Sequence, residues 1–146
     1  MSSVLIIEDS PSDLKYYEPL FRATTTPPLA VSLLFVAPDN DYSEKKLKEV
    51  AELLYEDVAS KIKHYAVCTK ETVREFLTNS PYDFYILDSL GGFAEELVKG
   101  NDVFKGHLCF LSSTTPFRES MERKGYRAYK KEDIGNLIKD CFLSRD

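Results

Sequence analysis

The chain alternates between short apolar runs and longer stretches in which apolar residues recur every three or four positions. Runs rich in branched residues predict strands buried on both faces. They are VLII (4–7), LAVSLLFVA (29–37), HYAVC (64–68), YDFYILD (82–88), HLCFLSS (107–113) and the shorter YRAY (126–129). Helical signals fill the gaps. In DSPSDLKYYEPLF, Asp9 or Ser10 can cap a helix whose first position holds Pro11, and Pro19 stops or kinks it. TTTPP (24–28) is a loop by composition, and from Ser43 the residues Leu47, Val50, Ala51, Leu54, Val58 and Ile62 lie on one helical stripe. KETVREFLTNS predicts a second amphipathic helix with Val73, Phe76 and Leu77 inward. FAEELVKG predicts a short one ended by Gly100, a further helix at about 116–124 ends at Gly125, and the last runs from about Glu132 to Phe142.

Strand followed by helix, six times over, predicts a parallel sheet with helices on both faces, because parallel strands need crossovers. No Gly-, Ser- or Pro-rich linker divides residues 1–146, so a single α/β domain is expected. Ligands of such sheets bind outside the carboxyl ends of the strands. Those ends carry Glu8 and Asp9, then Asp88, then Ser112 with Ser113 and Thr114, and finally Lys130 with Lys131. Each has a plainer reading. Asp9 and Ser112 can be caps, Asp88 can open a turn before Gly91-Gly92, and Lys130 can be a solvated charge. Their common placement at one end of one sheet favours a shared crevice.

Composition narrows the partners. A net charge of −5 and the absence of a dense Lys/Arg cluster exclude a nucleic-acid-binding surface on this domain. Three cysteines without CxxC spacing argue against thiolate zinc and against a disulfide scaffold, and so for a reducing compartment. No apolar stretch is long enough to span a membrane, and no basic-then-apolar leader opens the chain. The expected location is the cytoplasm.

Carboxylates from two strand ends repel one another unless a cation joins them, and hard oxygen donors suit Mg²⁺. A carboxylate can attack a phosphoryl donor, while a lysine and a hydroxyl contact the transferred group. With these residues in this order, the sequence resembles the receiver domain of two-component response regulators. VLIIEDSPSD is similar to the family's first strand and acidic pair, with Glu8-Asp9 for the commoner Asp-Asp. TKETVREFLTNSPYDFYILD resembles its second helix and third strand, LCFLSST its fourth strand and switch hydroxyl, and KKEDIGNLI the stretch after its last strand.

The resemblance implies a flavodoxin-like (CheY-like) open sheet of five core strands plus one inserted strand, the insertion being about 24–63. It implies phosphorylation of Asp88, with Ser112 and Lys130 contacting the phosphoryl group. Mg²⁺ would be held by Glu8, Asp9, Asp88 and the backbone carbonyl of Leu90. The donor would be a histidine kinase or phosphotransfer protein, and the reader of the switched surface a downstream protein effector. The domain would be no enzyme beyond catalysing its own phosphotransfer and dephosphorylation. The inserted helix offers a docking or dimerisation surface.

The departures are specific. Gly91-Gly92 stands where the family carries Met-Pro, and apolar Leu90 stands two residues after Asp88, where it should not orient an attacking water. Slow self-dephosphorylation is therefore expected. A receiver-shaped interaction module that works without phosphate is the alternative reading.

Overall fold

Successive side chains of a strand point to opposite faces, so a strand apolar at every position must be covered on both sides. The computed structural model describes residues 3–10, 12–14, 16–17, 20, 30–36, 45–46, 48–49, 52, 64–68, 73–74, 82–99 and 107–140. The described residues form six strands: β1 (Ser3–Glu8), β2 (Ala30–Val36), β3 (His64–Cys68), β4 (Phe84–Asp88), β5 (Leu108–Leu111) and β6 (Arg127–Tyr129). Every pairing is parallel, in the order β3-β2-β1-β4-β5-β6. The strand at Ala30–Val36 thus lies between β1 and β3, inside the sheet.

The two faces separate cleanly by strand parity. On the first, Val4, Ile6, Leu33, Phe35, Phe84 and Ile86 pack with Leu14 and Tyr17 from the helical residues after β1. Ile134, Leu137 and Ile138 of α3 (Ile134–Ile138) complete that layer. On the second, Leu5, Ile7, Leu34, Tyr85, Leu87 and Phe110 meet Val73, α1 (Phe93–Val98) and α2 (Thr115–Arg123). This is the parallel α/β sheet covered on both faces that the alternation predicts, and it is consistent with the flavodoxin-like open sheet that the resemblance implies. Phe110 sits edge-to-face against both Phe117 and Tyr126 at 5.4 Å between centroids, which fixes α2 over β5.

Element ends differ from expectation by a residue or two. α1 finishes at Val98, with Lys99 extended after it; Gly100, expected to end it, lies outside the described residues. The last helix begins as a tight turn at Lys131–Asp133 before α3. Of the stripe expected after Ser43, Leu47, Val50, Ala51, Leu54, Val58 and Ile62 all lie outside the described residues, as do Phe76 and Leu77. Val73 is fully buried as expected. Among the described residues, no helix is long and apolar enough to cross a membrane.

Candidate functional site

The chain leaves β3 at one edge and re-enters at β4 beside β1, which makes the β1–β4 boundary the topological switch point. Ligand crevices open there in sheets of this kind. Register does the rest. Ile7 pairs with Leu87, so Glu8 and Asp88 fall side by side at the carboxyl end, both on the first face. Their row continues to Phe35 on one side and Leu111 on the other, which places two carboxylates between apolar neighbours. Glu8 and Asp88 are 1% and 5% exposed.

Asp9 follows at the mouth of the crevice and is half-buried. Carboxylate atoms of Glu8, Asp9 and Asp88 lie within 4.8 Å of one another. Three hard oxygen donors so close together can hold a metal ion. Ser10, not Asp9, caps the helix: its hydroxyl accepts from the Asp13 N–H at 3.4 Å and its carbonyl from the Leu14 N–H at 3.2 Å.

The lysine of the site is Lys131, and this corrects the expectation of Lys130. Lys131 Nζ lies 3.0 Å from Asp88 Oδ1, 3.2 Å from Glu8 Oε2 and 2.9 Å from Asp13 Oδ2. Parity explains the choice. Tyr129 packs on the first face, and two residues later Lys131 returns to that face beside the carboxylates. Lys130 is exposed, at an extended residue preceding the tight turn.

Leu90 meets Asp88 through its N–H, which donates to Oδ2 at 2.8 Å, while its carbonyl accepts from the Phe93 N–H and keeps a second lone pair. Leu90 has φ 52°, in the left-handed region that a branched aliphatic residue enters only under strain, and its side chain is anchored in the second-face core. Gly91 and Gly92 follow at φ 64° and 95°. A Cβ at Gly92 would meet nothing within 4 Å, so its glycine is required by backbone conformation alone. Gly92→Ala is therefore expected to lower stability by about 1–2 kcal/mol in urea unfolding, without a steric defect.

Ser112 is buried at the end of β5, where its hydroxyl accepts from the Thr114 N–H at 3.1 Å. The hydroxyl proton remains to be donated. Buried Arg118 donates to the Ser112 carbonyl at 2.7 Å and to Thr115 Oγ1 at 2.9 Å, tying this strand end to α2.

Burial, reinforced by the charge of Asp88, pushes the Glu8 carboxyl up to about 9 against the partial relief of Lys131. Burial likewise raises Asp88, but the Leu90 N–H and Lys131 counteract it. Both carboxyls of the pair are thus raised by the burial they share. Burial would lower the Lys131 ammonium, yet Asp13, Glu8 and Asp88 outweigh it and hold the lysine charged. Burial, and then the charge of Glu8, raises Tyr17, whose hydroxyl donates to Glu8 Oε2 at 3.3 Å.

A pH dependence follows. Glu8 binds its proton more tightly folded than unfolded, where its value is near 4.5. The stability this contributes is complete below pH 4.5 and is lost progressively as pH rises toward 9. Wild-type stability should fall across that window by about 1.4 kcal/mol per pH unit at most, and Glu8→Gln should flatten the slope. Urea titrations at several pH values measure it.

Sequence reasoning missed Asp13 and Tyr17. Both had a signal: Ser10-x-x-Asp13 has the capping-box spacing, and Asp13 and Tyr17 are one helical turn apart. Comparison with family models, with curated proteins and with solved structures finds no match.

Proposed function

We propose that this domain is a phosphoacceptor receiver, in which Asp88 accepts a phosphoryl group and a partner-binding surface responds. One observation carries the reading: Asp88 sits at the switch point with Glu8 and Asp9 within ligand distance and a charged Lys131 at 3.0 Å. The donor set of Glu8, Asp9 and Asp88 fits Mg²⁺, which when bound would supply charge neutralisation for phosphoryl oxygens. An Asp88 carboxylate oxygen forms the new bond to phosphorus. The bond from phosphorus to the donor breaks, and the donor leaves with that electron pair, taking up a proton from solvent. Lys131 neutralises part of the arriving charge, and the Ser112 hydroxyl supplies a hydrogen bond.

The turn after β1 reads EDSPS, with acids where a nucleotide-binding sheet of this order places glycines, so the crevice favours a cation over a diphosphate. A histidine kinase or phosphotransfer protein would supply the phosphoryl group, and a protein effector would read the result. A second reading, an interaction module independent of phosphate, draws on the direct pairing of Lys131 with Glu8 and Asp88.

The test is intact-mass spectrometry after incubation with a small acyl-phosphate donor. The reading predicts one added phosphoryl group that requires Mg²⁺. No adduct, under conditions that label a proven receiver, overturns it in favour of the interaction module.

A further inference from the structure

An ammonium group has three N–H donors and no more. In this structure Lys131 faces three carboxylates, Glu8, Asp13 and Asp88, and Asp13 is the nearest at 2.9 Å. While Asp88 is still a carboxylate holding its own bond to Lys131, a phosphoryl oxygen arriving beside it can gain the lysine only by displacing Glu8 or Asp13. Glu8 is almost wholly buried, so water cannot take the lysine's place beside it. Asp13 is the exchangeable partner, because its side chain is 37% exposed and water can replace the lysine. Its helical position is also telling. Three residues after the Ser10 cap, an acid ordinarily turns back to the cap's own N–H, whereas Asp13 reaches across to Lys131.

We propose that Asp13 is a positioning residue that competes with the incoming phosphoryl group for Lys131, restraining phosphorylation and linking the helix after β1 to the state of Asp88. This rests on the phosphoacceptor reading above. When Asp88 becomes an acyl phosphate, Lys131 shifts its third bond from Asp13 to a phosphoryl oxygen, and the helix beginning at Ser10 loses its tie to the turn at Lys131–Asp133.

The experiment compares wild type with Asp13→Asn, Asp13→Glu and Asp133→Asn, each with Mg²⁺ and the acyl-phosphate donor, followed by intact mass over time. Asp13→Asn should be labelled about two- to fivefold faster, the range that a part-exposed ion pair is worth. Asp13→Glu should stay near the wild-type rate. Asp133→Asn, which removes an equal charge from an exposed neighbour of Lys131, should also leave the rate unchanged. Hydrogen exchange adds a readout that a purely structural role would not move. Phosphorylation should speed exchange at the Asp13 and Leu14 amides in wild type, and in Asp13→Asn those amides should already be fast and unresponsive. Labelled wild type with an Asp13→Asn rate equal to or below it overturns the inference alone, as does the same acceleration in Asp133→Asn. No labelling of any of the four proteins overturns the phosphoacceptor reading and the inference with it.

Discussion

Lys131→Met should destabilise the protein by about 3 kcal/mol at neutral pH, a large effect for a side chain that is one-quarter exposed. The loss is not that of a surface ion pair. Among the described residues Lys131 is the cation within reach of buried Glu8 and Asp88, and its removal leaves a buried negative charge without that compensation. Part of the loss should be recovered as Glu8 and Asp88 retain protons to higher pH, so the defect should grow from pH 5 to pH 8. Mg²⁺ should restore much of it if the three carboxylates hold the ion, since binding only the folded state stabilises by mass action. Lys130→Met should change stability by less than about 0.5 kcal/mol, as expected of an exposed site. Urea unfolding of both variants with and without Mg²⁺ measures all of this. Equal effects of the two substitutions would contradict the assignment of Lys131.

Asp88→Asn should abolish phosphoryl transfer while leaving the fold at least as stable as wild type. A carboxamide oxygen can still accept from the Leu90 N–H, so the turn is preserved. What disappears is one of several acidic groups crowded about one ammonium, and with it part of what raises Glu8. Burial in a row between Phe35 and Leu111 makes that crowding costly. Intact mass and urea unfolding, run on the same preparation, read the two effects separately. A variant that is still labelled would place the acceptor elsewhere, and one that unfolds far more easily would make Asp88 a structural residue.

The strands were legible because burial on both faces leaves no polar alternation to confuse them; VLII and FYILD are apolar to the last residue before their acids. Helix ends were less so, because no side-chain cap hydrogen bond marks the start of α1 or of the tight turn at Lys131–Asp133. Glu8, Asp9 and Asp88 could be gathered from sequence since each ends a strand. Lys131 could not be separated from Lys130 until the bounds of β6 were known, because the parity of a three-residue strand depends on where it begins. Asp13 was hidden for a different reason. It sits in a helix, and only the packing of Leu14 and Tyr17 on the first face turns it toward the site. The strand order was likewise beyond the pattern: an apolar run states that a strand is central, not which neighbours it takes.

The most direct test of a phosphoacceptor centred on Asp88 is chemical trapping. The protein is treated with Mg²⁺ and an acyl-phosphate donor and reduced at once with borohydride, which converts an aspartyl phosphate to homoserine with release of phosphate. Peptide sequencing by mass then locates the change. Homoserine at position 88, dependent on Mg²⁺, is the predicted result; homoserine at position 9 or 13 instead, or none anywhere, would contradict it.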